Sequence, residues 1–146
     1  MSEAFNYAVR LLARREHSAY ELATKLSKKG YGQEEINEVM ATCQRLGLQD
    51  DARFVELLCR TRIHQGYGPL KIRQELQTRK IDNELIDSAI DQERENWLAH
   101  ALTVWYKKYK QDDVSFPELQ KRQRFLLYRG FPSDIIANVI KELKVI

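Results

Sequence analysis

The chain has 146 residues, with 24 Lys or Arg against 21 Asp or Glu and a formal charge of +3. A chain of this length buries enough surface to hold a core without disulfide or metal staples. Cys43 and Cys59 show no paired spacing, His17, His64 and His100 are scattered, and no apolar run approaches the roughly twenty residues of a membrane span. A disulfide scaffold, a zinc finger and a membrane-spanning protein are thereby excluded as leading readings.

Glycine and proline together number only nine, about half their usual share, so turns are few and elements long; the chain reads as all-α. The opening Met1-Ser2-Glu3-Ala4-Phe5-Asn6 has neither the charge nor the apolar stretch of a signal peptide, and it leads almost directly into the first helix. A cytoplasmic protein without an N-terminal extension is expected.

Comparing the chain with itself shows an internal repeat of fifty residues. Leu26, Leu76 and Leu126 share its register, as do Tyr31, Ile81 and Phe131; Ile36, Ile86 and Ile136; and Met40, Ile90 and Ile140. Each copy reads as three helices, giving repeats at 1–50, 51–96 and 97–146 and nine helices in all.

In the first copy, Ala8, Leu11 and Leu12 mark the first helix. Ser18-Ala19-Tyr20-Glu21 has the form of a capping box and opens the second, which Gly30 closes after Lys28 and Lys29. Ile36, Val39, Met40 and Cys43 line the third. In the second copy, Phe54, Leu57, Leu58 and Thr61 form the first stripe, and Gly66-Tyr67-Gly68-Pro69 turns into a helix that faces Ile72 and Leu76 inward. Leu85, Ile86, Ala89 and Ile90 follow. No Gly or Pro interrupts residues 82 to 111, so this helix is expected to run directly into the third copy. There Leu98, Ala101, Leu102, Trp105 and Tyr109 make one stripe and Phe116-Pro117 starts the next helix. Phe131-Pro132-Ser133-Asp134 caps the last, which carries Ile135, Ile136, Val139, Ile140 and Leu143. Tandem units that touch mainly their neighbours make an elongated body with a long exposed face, suited to a long partner.

No constellation carries catalysis. The glycines at 66 and 68 complete neither a P-loop nor a dinucleotide fingerprint, and Asp50-Asp51 at a helix start reads as capping. His17 beside Ser18, with Cys43 distant in sequence, lacks a third orienting group and reads as a surface or cap-adjacent histidine.

Charge is more informative. Seven basic and seven acidic residues cancel in 1–50, eight against nine leave −1 in 51–96, and nine against five leave +4 in 97–146. The densest runs are Lys107-Lys108-Tyr109-Lys110 and Lys121-Arg122-Gln123-Arg124, with Tyr106, Tyr109 and Tyr128 nearby. Basic groups interleaved with aromatics suit a phosphate backbone and stacked bases; a solvated helix face with partly buried tyrosines is the alternative. Smaller pairs stand at Arg14-Arg15, Lys28-Lys29, Arg60 with Arg62, Lys71 with Arg73, and Arg79-Lys80, several at helix C-termini where the dipole alone accounts for them. Tyr67, in its glycine turn, is either an exposed contact or packed on the next helix.

Three segments, Leu12-Ala13-Arg14-Arg15-Glu16-His17-Ser18-Ala19-Tyr20-Glu21-Leu22, Leu46-Gly47-Leu48-Gln49-Asp50-Asp51-Ala52-Arg53-Phe54 and Gly66-Tyr67-Gly68-Pro69-Leu70-Lys71-Ile72-Arg73-Gln74-Glu75-Leu76, occur in order and together resemble the RecX family of recombination regulators. The likeness covers almost the whole chain and departs where Lys80 replaces a glycine that Gly30 and Gly130 keep. It implies a monomeric bacterial protein of three tandem three-helix repeats, with no cofactor and no catalytic residue. Such a protein binds the RecA recombinase filament, in its helical groove, and impedes its ATPase and strand exchange during homologous recombination and DNA repair. Single-stranded DNA inside the filament is the second expected partner, with weak direct contact to DNA. The expected filament- and DNA-binding residues are Lys107, Lys108, Lys110, Lys121, Arg122, Arg124 and Arg129, then Arg14, Arg15, Lys71, Arg73 and Tyr67. The alternative is a helical duplex-DNA-binding protein acting without a recombinase.

Overall fold

The structure, a computed structural model, describes residues 2–110 and 115–145. Among them every regular element is helical: α1 (Glu3–Arg14), α2 (Ala19–Lys29), α3 (Gln33–Arg45), α4 (Asp51–His64), α5 (Pro69–Thr78), α6 (Asn83–Gln92), α7 (Trp97–Lys108), α8 (Phe116–Tyr128) and α9 (Ser133–Val145). No described helix is long and apolar enough to cross a membrane.

Local chemistry sets the helix starts. Ser2, Asp50, Asp82 and Ser115 each accept from amides of the first turn, and Ser18 with Glu21 completes the capping box in both directions. The fifty-residue register is a register of burial. Leu26, Leu76 and Leu126 are fully buried, as are Ile36, Ile86 and Ile136 to within a few per cent.

The second helix of each repeat also closes identically. Gly30, Lys80 and Gly130 all take positive φ, and the next amide reaches back to the buried leucine carbonyl: Tyr31 to Leu26 (3.3 Å), Ile81 to Leu76 (3.2 Å) and Phe131 to Leu126 (3.1 Å). Lys80 therefore adopts at φ 58° the left-handed geometry that glycine supplies in the other copies. A side chain there costs about 1–2 kcal/mol, of which glycine's greater unfolded freedom returns about 0.5–1. Lys80→Gly should thus gain about 0.5–1 kcal/mol and raise Tm by about 2 °C in a thermal melt followed by circular dichroism. A lowered Tm would contradict this account.

Three expectations are corrected. The helix from 82 does not run through to the third copy: α6 ends at Gln92 and α7 begins at Trp97. Residues 93–96 tighten into i→i+3 bonds, including Asn96 to Glu93 (2.8 Å), which need no glycine. Trp97 folds its indole N–H back onto the Ile90 carbonyl (3.1 Å), and Glu93 accepts from Asn96 and meets His100 (2.9 Å). On α4 the inward stripe is Phe54, Val55 and Cys59, whereas Leu57 is 41% exposed and Thr61 is exposed. His17 is cap-adjacent, directly before the Ser18 cap, but buried and not superficial, with Nδ1 3.0 Å from the Arg15 carbonyl oxygen and Nε2 2.9 Å from Lys25 Nζ. Burial, and then the charges of Arg15 and Lys25, lower its pKa, against a raising contact from the Arg15 carbonyl.

The repeats are not joined alike. α4–α9 share one apolar core that runs from Phe54 through Trp97 and Trp105 to Val139, while α1–α3 hold a separate core around Leu22, Leu26 and Ile36. Repeats two and three meet at two glycines. The Gly68 amide donates to the Arg129 carbonyl (2.7 Å) and the Leu70 amide to the Gly130 carbonyl (2.9 Å). A methyl on Gly68 would lie 2.6 Å from the Gly130 backbone, and one on Gly130 would lie 2.7 Å from the Lys71 amide nitrogen.

Repeats one and two meet through polar groups. Asp50 caps its own helix, whereas Asp51 caps the neighbour's by accepting from the Ala19 amide (2.8 Å) and from Gln49, which also donates to the His17 carbonyl. Arg53 holds Glu16 at 2.7 Å, and Arg79 crosses to Glu21 at 2.6 Å. The accessible surface of 9454 Å² exceeds the roughly 7,800 Å² of a compact monomer of 17.2 kDa, as expected of a drawn-out array.

Candidate functional site

The basic runs of the last repeat separate into buried and exposed groups once folded. Arg122 lies only 6% exposed, with its guanidinium 4.2 Å from the Tyr109 ring centre and 5.6 Å from that of Trp105, and it pairs with Glu118 at 3.2 Å. It is a core cation held by aromatic faces and a carboxylate. Tyr109 packs edge-on against Trp105 and Phe125; burial raises its pKa, with Arg122 opposing and Glu118 adding to the rise.

Arg129 is also engaged. It sits 5.1 Å from the Tyr67 ring centre and 5.2 Å from that of Phe125, and donates to the Gln65 carbonyl (3.1 Å). Tyr67 is thus half-buried between repeats two and three. Arg15 grips Glu21 with two nitrogens, at 3.1 and 2.7 Å, and Arg73 pairs with Asp87.

The exposed groups gather on α8 and the ends beside it. Lys121, Arg124 and Tyr128 stand three and four residues apart on the outward face of α8, and Tyr128 is 71% exposed. The glycine crossing brings α5 alongside, so that exposed Lys71 places its ammonium 3.5 Å from the Tyr128 carbonyl oxygen. Lys71 and the α8 cations, fifty residues apart in sequence, form one strip.

Lys107 and Lys108 occupy the last turn of α7, where Lys108 rests 4.2 Å from the Phe125 ring centre. Lys110 lies beyond the helix end and turns back onto the Tyr106 carbonyl (3.2 Å), so helical spacing does not relate it to Lys107. Arg14 is exposed on α1, in repeat one. An ammonium resting on an aromatic face is held in place without losing its charge, whereas a carboxylate partner neutralises it. By that criterion Lys107, Lys108, Lys110, Lys121, Arg124, Arg129, Lys71 and Arg14 keep charge to offer a partner, while Arg15, Arg73 and Arg122 have theirs matched.

Candidate chemical groups elsewhere are quiet. Burial pushes the Cys43 thiol up, and burial with nearby Glu93 pushes Cys59 up to about 11, far from the thiolate range. No group of three potential metal ligands occurs among the described residues.

Three family models match this architecture in chain order: the first three-helix domain of RecX over residues 4–43, the second over 50–90 and the third over 95–140. The chain belongs to the RecX family. It is 57% identical over 145 residues to Regulatory protein RecX of Legionella pneumophila (strain Corby), covering 99% of this chain and 97% of that one. To Regulatory protein RecX of Pasteurella multocida (strain Pm70) it is 40% identical over 142 residues, covering 95% and 87%. The crystal structure of RecX from Lactobacillus salivarius shares the fold, with a TM-score of 0.88 at 24% identity over 99% of this chain and 96% of that one. The helices of the described residues thus have the RecX fold across all three domains.

Proposed function

We propose that this RecX-family protein is a negative regulator of the RecA recombinase that lies in the groove of the RecA–DNA filament and slows ATP turnover and strand exchange without hydrolysing nucleotide itself. The observation that carries the reading is the strip of Lys121, Arg124, Tyr128 and Lys71 across repeats two and three, together with Lys107, Lys108 and Lys110 at the end of α7. A filament groove presents both protein and phosphate, and an array with one strongly cationic end is drawn along it. Tyr128 adds an exposed ring on which an unstacked base can lie. Arg129 and Tyr67 serve by holding the strip's two repeats together, and Arg122 by fixing Tyr109 beneath it.

The experiment adds the protein to recombinase on single-stranded DNA. ATP turnover should fall at low stoichiometry, and Lys107→Gln/Lys110→Gln/Lys121→Gln/Arg124→Gln should inhibit at least tenfold less per molecule while melting normally, because exposed charges contribute little to folding. Its binding should also lose salt dependence, by a slope of about 0.7 per single-strand phosphate contact removed. Unchanged turnover across a wide titration of the unaltered protein would refute the reading. A shift of short duplex DNA without recombinase would point to a duplex-binding protein instead.

A further inference from the structure

Repeat one carries no net charge in sequence, yet the fold segregates its charges. Of its seven acidic residues, Glu16 is taken by Arg53, Glu21 by Arg15 and Arg79, and Asp50 by the cap of α4, while Glu34, Glu35 and Glu38 lie on α3. Glu3, at the start of α1, and Glu35 lie near Tyr31, which packs 6.3 Å from the Tyr7 ring centre and is also within reach of Arg10. Between α1 and α2 this leaves a groove of about 340 Å³ with Tyr7 and Leu11 as its floor and Lys25, Lys28 and Lys29 along its rim. Arg10 joins from α1, and Arg14 follows one turn later on the same helix face. Among the described residues none of these five cations has a carboxylate partner.

The rim is built. Lys29 lies 5.3 Å and Arg10 5.8 Å from the Tyr7 ring centre, so one ring positions two cations from two helices and neutralises neither. Lys25 is held 2.9 Å from the His17 ring, again a partner without negative charge. Pre-positioned cations lose less side-chain freedom when an anion arrives. The repeating charge of a phosphate strand is the polyanion that such a rim, spread over two helices, matches best.

We infer that the α1–α2 groove of repeat one is a second phosphodiester-binding site, taking the backbone of a single nucleic-acid strand at the opposite end of the array from the α8 strip. The inference deepens the regulator reading, since two sites on one chain gain by acting together on one long partner. Tyr7 already holds Arg10 and Lys29 and packs at a tilt against Tyr31, 6.3 Å between ring centres, so its role in this site is to position cations on the backbone.

The test titrates the full chain with a fluorescent twenty-nucleotide oligothymidine, reading anisotropy between low and physiological salt. Arg10→Gln/Lys28→Gln/Lys29→Gln should lose at least tenfold in affinity at low salt, and its salt slope should fall by about 2 for three contacts. The exchange variant Arg10→Lys/Lys28→Arg/Lys29→Arg should bind as the unaltered chain does, and all three should melt alike. Equal affinity and slope in the Gln variant would overturn the inference, as would a loss confined to a polyglutamate probe, which would make the groove a contact for an acidic protein. The regulator reading fails separately, in recombinase ATP turnover. A chain that leaves turnover untouched but loses oligothymidine through these three residues keeps this site and discards that reading.

Discussion

Gly68→Ala should lower Tm by about 6–12 °C, although the backbone of Gly68 is one that alanine adopts freely, with φ −97°. The added methyl would sit 2.6 Å from the carbonyl carbon and oxygen of Gly130 and 2.8 Å from Cδ1 of Phe131, itself fully buried. Backbone cannot rotate aside as a side chain can, so the turns must separate and strain the two hydrogen bonds between them. That cost is about 3 kcal/mol or more, at about 2–4 °C per kcal/mol for a chain of this size. Gly130→Ala meets the same obstruction from Lys71 and adds the strain of φ 99°. Two controls separate the causes. Gly30 has φ 109° and nothing within 4 Å, so Gly30→Ala carries backbone strain alone, about 1–2 kcal/mol; Gly32 has ordinary φ and open space, so Gly32→Ala should change little. If Gly68→Ala melts with the Gly32 variant, the close crossing is wrong.

The same two glycines show where reading the sequence succeeds and where it stops. Periodicity and capping are local, so Ser18 with Glu21, the αL glycines and the fifty-residue leucine column were all legible, and with them nine helices. Gly68 was legible only as a turn, because the chain it must admit, at Gly130, arrives from sixty residues away. The joint at 93–96 was missed for a related reason: it is made by i→i+3 turns secured by Trp97, Glu93 and His100, and none of these residues announces a break. On α4, leucines at 57 and 58 drew the stripe one position away from Val55 and Cys59, since hydrophobicity alone does not say which side the next repeat will cover.

The charged surface was legible in amount but not in disposition. Arg122 belongs to the densest basic run yet is buried among Tyr109, Trp105 and Glu118, while Lys71, in a repeat with net negative charge, joins the α8 strip. Lys28 and Lys29 satisfied a helix dipole in sequence and gave no sign that they would line one groove with Tyr7, on whose ring Lys29 and Arg10 both rest. Net charge by segment records how many charges there are; which face they occupy depends on where the carboxylates have gone, and in repeat one two of them go to the junction with repeat two.

That junction is expected to fail in acid before the rest of the molecule. Glu21 is pushed up by burial, but two hydrogen bonds and the charge of Arg15, the charge of Arg79 and the Ser18 amide hold its pKa down to about 2, against 4.5 unperturbed. A carboxylate with a depressed folded pKa contributes its full stability above the unfolded value, and that contribution is lost as pH falls from about 5 to about 2. The shift corresponds at most to a little over 3 kcal/mol; with Arg15 and Arg79 partly in solvent, about 2 kcal/mol is the expected share. Glu21→Gln should therefore melt lower than the unaltered chain at pH 7, and the two should converge near pH 2. Parallel curves across that range would show that the pairing contributes nothing. Because repeat one has its own apolar core and both tryptophans, Trp97 and Trp105, lie in α7, the loss is also expected to divide by probe. Helical circular dichroism should drop in acid while tryptophan fluorescence still reports an intact α4–α9 core, because the polar joint opens at lower cost than the shared apolar one.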